Sequence, residues 1–164
     1  MQIADIRLMY EYNFWANRLL LAKSTEITPE QFGAPTTQSW GSLHGTLVHI
    51  LDSEYGWRRL LQTGEVEFDK ITPATVPTVA AMRVRWDAEE AAWREYLGSL
   101  TDADMTGIIR YEVEEGIRER VLWHCLFHVV NHGMQHRSEA AHLLTEYGQS
   151  PGDLDFTLYL RLTQ

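Results

Sequence analysis

The spacing of the apolar residues is the feature that most constrains the fold of this chain. Apolar side chains recur every three or four positions from Ile3 to Ala22, from Leu43 to Leu61, from Val79 to Leu100 and from Glu119 to Tyr147. This spacing is typical of one face of an α-helix, whereas a half-buried strand alternates every second residue. The pattern predicts four long helices, and these favour an all-α four-helix bundle.

Residues that start or stop helices lie between these segments. Thr28-Pro29-Glu30-Gln31 combines a capping threonine, a first-turn proline and a glutamine, which predicts a short accessory helix. Ser39 or Ser42 is placed to begin the second long helix, and Gly64 to end it. The segment from Glu65 to Thr78 contains two prolines and is expected to be a loop.

Two shorter segments complete the predicted architecture. The apolar run from Ile108 to Val113 is followed by Glu114-Glu115-Gly116, which predicts a small hairpin before the last long helix. Asp153 to Leu162 is apolar enough to pack as a short closing helix.

The length of 164 residues fits a single domain spanning 1–164. In the third helix, the residues that we expect to pack are Val84, Ala88, Ala91, Ala92, Tyr96 and Leu100.

Charge and composition argue against several classes of protein. The formal net charge of −9 repels phosphate backbones, so we expect no nucleic-acid partner. No apolar stretch approaches the roughly 18 residues of a membrane-spanning helix, and the first residues do not resemble a signal peptide. Cys125 is the single cysteine and cannot form a disulfide within the chain. We expect a cytoplasmic enzyme or binding protein with no membrane partner.

Four of the seven histidines fall four residues apart on the last long helix: His124, His128, His132 and His136. Each step of four turns the helix by about 40°, so neighbouring histidines share a face and one pair can point inward. Two imidazoles one turn apart can bind one metal ion, as in zincin helices. Spacing alone leaves the pairs 124/128, 128/132 and 132/136 open, and packed histidines are the alternative interpretation.

His49, on the second long helix among apolar neighbours, is the candidate for a third ligand. Three neutral imidazoles leave a coordination position for water or substrate. Asp52 and Ser53 share the face of His49 and are candidates to orient bound water or an imidazole. For Asp52 a helix cap or a solvated carboxylate is the alternative.

Two further candidate catalytic residues lie on the last long helix. His128 precedes His132 by one turn and could line the pocket or shuttle protons, although a packed histidine is favoured. Glu139 follows His136 by three residues and could be an acceptor or a base. A surface salt bridge of Glu139 with Arg137 or Arg161 is the interpretation that we favour.

Cys125 and the tryptophans have structural interpretations. We expect Cys125 to be a buried thiol, because nothing nearby in the sequence indicates a lowered pKa. We expect the tryptophans to act as core and interface anchors. The six are Trp15, Trp40, Trp57, Trp86, Trp93 and Trp123.

Three segments of the predicted helices carry recognisable motifs. Asn131–Arg137 has the pattern N-H-x-x-x-H-R on the last long helix, and Tyr12–Leu20 contains a Trp-Ala-Asn element on the first. Ser42–Leu51, followed by Trp57, lies on the second long helix. These segments resemble the DinB/YfiT-like metalloenzyme family, whose second helix carries the first metal-binding histidine. The likeness extends from residue 10 to about residue 160 in the same order.

The resemblance implies a DinB-like bundle with a divalent metal, zinc or nickel, held by His49, His132 and His136. It also implies a thiol-dependent S-transferase or isomerase that uses a low-molecular-weight thiol on a small electrophilic molecule, assembled as a homodimer. Arg137 is the candidate substrate-binding residue. The alternatives are a metal-dependent hydrolase or a non-catalytic metal-binding or ligand-sensing bundle, whose site a fourth protein ligand would close.

The chain departs from the family pattern directly after this signature. Many relatives continue as Arg-Gly-Gln, whereas Ser138 and Glu139 follow Arg137 here. The three ligands are unaffected by this difference. It puts in doubt any role that the glutamine has in those relatives.

Overall fold

The computed structural model describes residues 1–163 and consists of helices and one small hairpin. No helix in this range has the length and apolar character needed to cross a lipid bilayer. The predicted all-α bundle with accessory helices and a hairpin is confirmed. In chain order the elements are α1 (Ile3–Ser24), α2 (Pro29–Gly33), α3 (Leu43–Thr63), α4 (Val79–Ser99), a 3-10 turn (Asp104–Thr106), β1 (Ile108–Val113), β2 (Gly116–Val121), α5 (Leu122–Glu146) and α6 (Phe156–Thr163).

Local capping explains where the helices begin and end. The Ser42 hydroxyl accepts a hydrogen bond from the backbone N–H of Gly45 at 2.9 Å and caps α3. Gly64 ends α3 in the left-handed conformation with φ of 76°, which glycine adopts without steric cost. At α2, Thr28 and Gln31 exchange side-chain-to-backbone hydrogen bonds. These starts and stops agree with the sequence prediction.

The last long helix begins later than the sequence predicts. β1 and β2 pair antiparallel, from Ile108 opposite Val121 to Val113 opposite Gly116. The backbone from Glu119 to Val121 is therefore committed to the hairpin, and α5 starts at Leu122. The expectation of a helix from Glu119 is wrong by these three residues, because their partners lie in another segment of the chain.

The buried face of α4 differs in part from the expected one, although Tyr96 and Leu100 pack against the core as expected. Val84 is 72% exposed, and Ala88 and Ala91 are exposed as well. Large aromatic side chains bury more apolar area than alanines, so their face turns inward. The buried residues of α4 are Met82, Trp86, Glu89, Trp93 and Leu97.

The core consists of two apolar clusters, and each of the four long helices contributes to both. Tyr10 and Trp93 lie in one cluster, and Leu47 and Leu144 lie in the other. Along α1, α3 and α5, buried polar residues occupy the positions between the two clusters. The bundle is therefore apolar at both ends and polar in the middle.

Four of these buried polar residues form one hydrogen-bonded network with Trp86 of α4, and we call this network the polar layer. Glu54 accepts hydrogen bonds from Asn13 Nδ2 at 2.7 Å, Asn17 Nδ2 at 2.9 Å and Trp86 Nε1 at 3.0 Å. Arg137 donates from Nη1 to the amide oxygens of Asn13 and Asn17. The five residues come from α1, α3, α4 and α5. The polar layer thus fixes the register of the four long helices.

Candidate metal centre

Helices α3 and α5 bring three histidines together at the level of the polar layer. His49 lies on α3, and His132 and His136 lie one turn apart on α5. One ring nitrogen of each lies within 4.8 Å of the other two, and Nε2 of His49 is 3.0 Å from Nε2 of His132. Ligand nitrogens around a tetrahedral zinc ion, each about 2.0–2.1 Å from the metal, are about 3.3 Å apart. The cluster therefore has dimensions that fit one divalent ion.

Burial keeps two of these imidazoles neutral at neutral pH. Burial, with smaller contributions from the neighbouring His136 and His132, lowers the pKa of His49 to about 4. The pKa of His132 is also lowered to about 4, mainly by burial, with contributions from His136 and His128. A neutral imidazole offers the lone pair that a metal needs. Protons therefore compete weakly with a metal for these nitrogens at pH 7.

Glu139 orients the third histidine. Its Oε2 accepts a hydrogen bond from Nδ1 of His136 at 2.9 Å. The favoured interpretation of Glu139 as a surface salt bridge with Arg137 or Arg161 is wrong, because the carboxylate pairs with His136 and Arg137 is buried. A carboxylate in this position fixes the tautomer and the plane of a ligating imidazole. His136 is thereby held with Nε2 free to bind a metal.

Trp40, expected with the other tryptophans to be a core or interface anchor, lies at the three-histidine cluster. Its indole stacks on the His49 imidazole, with ring centroids 3.6 Å apart and planes inclined by 14°. It is also 44% exposed, unlike the core tryptophans Trp86 and Trp93. Its position just before Ser42, the cap of the helix that carries His49, is the signal that could have identified it.

The structure places the candidates Asp52, Ser53 and His128 beside the three-histidine cluster rather than in it. The Asp52 carboxylate accepts the backbone N–H of Ile71 at 2.7 Å and anchors the loop after α3. Ser53 lines a surface cavity of about 270 Å³ together with Trp57. The His128 ring is exposed, with its centroid 5.1 Å from Trp57 and 5.6 Å from His132.

Arg137, the candidate for substrate binding, lies in the core. It is 1% exposed, and its guanidinium donates to Asn13, to Asn17 and to the carbonyl of Val130. Burial lowers its pKa, and the charge of Glu54 opposes that shift. The expectation that it contacts substrate is replaced by a role in the polar layer, because its side chain points between the helices.

The remaining histidines lie outside the three-histidine cluster. His44 Nε2 lies 2.9 Å from the carbonyl oxygen of Val76. His124 is exposed and lies against Trp123. His142 is exposed, and its Nε2 lies 3.5 Å from Oε1 of Glu146. Of the three pairs that spacing left open, the structure directs 132/136 toward α3.

Comparison with known proteins agrees with this architecture. The model of the DinB family matches residues 1–164. Protein DinB of Bacillus subtilis (strain 168) is 25% identical to the chain over 167 residues, which covers 95% of this chain and 94% of that protein. Since the family model matches the whole sequence, the chain belongs to the DinB family.

Proposed function

We propose that this protein is a divalent-metal-dependent enzyme whose ion is held by His49, His132 and His136. We further propose that it is a thiol-dependent S-transferase or isomerase that acts on a small electrophilic molecule. The observation that carries the proposal is the convergence of three imidazoles from two helices within 4.8 Å. Imidazole nitrogens suit zinc and nickel, so either ion fits this donor set.

The number of ligands favours a catalytic site over a structural one. Structural zinc sites are normally closed by four protein ligands, whereas catalytic sites keep one position open. Within residues 1–163 the cluster has three members. Asp52 is bound to Ile71, and Glu139 is bound to Nδ1 of His136. A fourth position is therefore left for a ligand from solution, which supports catalysis.

The side chains around the cluster have separable roles in such a reaction. A divalent ion supplies Lewis acidity, which lowers the pKa of a thiol or water that reaches the open position. Glu139 holds His136, and Trp40 covers one face of His49. His128 is the candidate to accept the proton of the thiol, because its ring centroid lies 5.6 Å from that of His132. The sulfur then forms a bond with the electrophilic carbon, and the leaving group takes the electron pair of the broken bond.

Metal analysis of tag-free protein, purified without added metal, tests the ligand assignment. We expect about one equivalent of zinc or nickel per chain. The variants His49→Ala and His136→Ala should lose the metal. The control His124→Ala replaces an exposed histidine on α5, the helix that carries His136, and should keep the metal. Metal-free wild-type protein, or unchanged metal in the His49 variant, would contradict the proposal.

A thiol-consumption assay tests the reaction. The wild-type protein should speed the loss of a low-molecular-weight thiol in the presence of a small electrophile, and His49→Ala should not. Turnover of an ester or amide that is independent of thiol would instead identify the alternative, a metal-dependent hydrolase.

We also propose that the enzyme works as a homodimer in the cytoplasm. Phe127 and Met134 are 41% and 49% exposed and lie seven residues apart, on one face of α5. Exposed apolar side chains that share a face support an interface between copies. Light scattering should report a dimer, and the double variant Phe127→Glu/Met134→Glu should shift it to a monomer. A monomeric wild-type protein would refute this assembly.

A further inference from the structure

We propose that Trp40 is a positioning residue of the metal centre, which holds the plane of the His49 imidazole so that Nε2 faces His132 and His136. This inference rests on the proposed metal site and adds a residue outside the ligand set. It is carried by the stacking contact, by the loop that presents the indole and by a glycine that makes room for that loop.

The two helices orient their ligating histidines by different means. His136 is fixed by the hydrogen bond from its Nδ1 to Glu139. For His49, the structure of residues 1–163 records a polar contact of Nε2 with His132, edge-on contacts with the His132 and His136 rings, and one stacking contact, with Trp40. The second side-chain torsion of histidine is broad, so an imidazole needs a neighbour to define its plane. Trp40 therefore orients the His49 ring, as Glu139 orients the His136 ring.

The loop that carries Trp40 is closed by its own hydrogen bonds. The backbone N–H of Thr36 donates to the Gly41 carbonyl at 2.8 Å, and the N–H of Gly41 donates to the Gln38 carbonyl at 3.0 Å. Gly41 has φ of 72°, a conformation that favours glycine. The indole therefore projects from a defined turn directly before the cap of α3.

Gly45 allows this loop to lie on the first turn of α3. A Cβ atom at Gly45 would overlap the carbonyl oxygen of Trp40. The backbone of Trp40 thus contacts α3 one turn before His49, so the loop that carries the indole rests on the helix that carries the imidazole. Gly45→Ala should displace the indole while leaving both rings chemically intact.

The orientation of the indole also places it near a second ligand. The ring of Trp40 meets the His136 ring edge-on, with centroids 6.2 Å apart and planes inclined by 78°. With one face on His49 and 44% of its surface exposed, Trp40 borders the cluster on the side open to solvent. A change at this position is expected to alter metal binding before it alters the fold.

The first readout is an NMR spectrum of the histidine ring protons in the metal-free full-length protein. The ring current of a stacked indole moves the ring protons of His49 upfield. Trp40→Ala and Gly45→Ala should move these signals downfield, whereas the control Trp15→Ala, at the contact between α1 and α6, should not. Unchanged His49 signals in Trp40→Ala would refute the stacking contact.

The second readout is the affinity for Zn²⁺, measured by competition with a chromophoric chelator. Loss of a group that orients a ligand typically weakens metal binding 10–100-fold, so we expect about 10-fold weaker binding in Trp40→Ala and in Gly45→Ala. Trp40→Phe keeps a stacking ring and should recover most of the affinity. Trp15→Ala should bind as the wild type does.

The two readouts separate the failure of this inference from the failure of the metal site. If Trp40→Ala loses the ring-current shift yet binds Zn²⁺ as tightly as the wild type, the positioning role is wrong and the metal site stands. If the wild type shows the ring-current shift but binds no Zn²⁺, the proposed metal site is wrong and the positioning role falls with it.

Discussion

Replacing Glu54 by alanine should destabilise the fold strongly, because it removes the shared acceptor of the polar layer. Asn13, Asn17 and Trp86 would lose the oxygen to which they donate, and the buried charge of Arg137 would lose its counter-charge. Burial raises the pKa of Glu54. The carboxylate is nevertheless the form that the site accepts, since both of its oxygens receive hydrogen bonds from donors.

The structure sets the scale of this effect. Glu54 and Arg137 are joined through Asn13 and Asn17 rather than by a direct ion pair. Removing one of two opposite buried charges costs about 3–5 kcal/mol, whereas an exposed pair contributes about 0–1 kcal/mol. For a chain of this length each kcal/mol lowers Tm by about 2–4 °C, so Glu54→Ala should lower Tm by about 6–20 °C. Glu11 pairs with Arg94 on the surface, and Glu11→Ala is the matched control.

Urea unfolding followed by circular dichroism measures these differences. Gly133→Ala should also destabilise the protein, because a Cβ there would lie 2.6 Å from Nη1 of Arg137 and 3.1 Å from Oδ1 of Asn13. The double variant Glu54→Leu/Arg137→Met, which removes both charges, should recover part of the loss. If Glu54→Ala lost no more free energy of unfolding than Glu11→Ala, the argument for the polar layer would be refuted.

Three further predictions concern the metal centre and the thiol. Glu139→Ala should weaken Zn²⁺ binding about 10-fold, as measured by chelator competition. Glu139→Gln keeps an acceptor for His136 and should weaken binding less. Equal affinity in the wild type and both variants would argue against the orienting role of Glu139. The Tm of the metal-free protein should fall as the pH drops from 6.5 toward 4. In that pH range His49 and His132 become protonated in the unfolded chain but stay neutral in the folded protein. A Tm that does not change with pH would contradict the lowered pKa values. Cys125 is 2% exposed and burial raises its pKa, so a thiol reagent should label it far more slowly in native than in unfolded protein; equal rates would show that it is accessible.

The sequence contains enough local information to predict the helices. Ser42 and Gly64 mark the ends of α3 because capping and the left-handed conformation depend on the nearest residues. The start of α5 could not be predicted in this way, since Glu119 joins a strand whose partner lies in β1. The buried face of α4 was equally ambiguous, because Val84 and Trp86 both belong to helical stripes and only packing against the other helices selects one.

The candidate site was predictable in its residue types and not in its arrangement. The spacing of His132 and His136 predicts a metal-binding pair, but the choice among three pairs depends on where α5 faces α3, which helical spacing does not determine. The resemblance to a known family supplied that choice. Trp40 and the partnership of Glu54 with Arg137 depend on contacts between distant segments, so periodicity carries no signal for them.

Crystals of the protein loaded with Zn²⁺, with anomalous scattering recorded at the zinc edge, test the central claim most directly. The account predicts one ion per chain, about 2.0–2.1 Å from a ring nitrogen of each of His49, His132 and His136, with its fourth ligand from solution. An ion bound elsewhere, or a fourth protein side chain closing the coordination sphere, would contradict it.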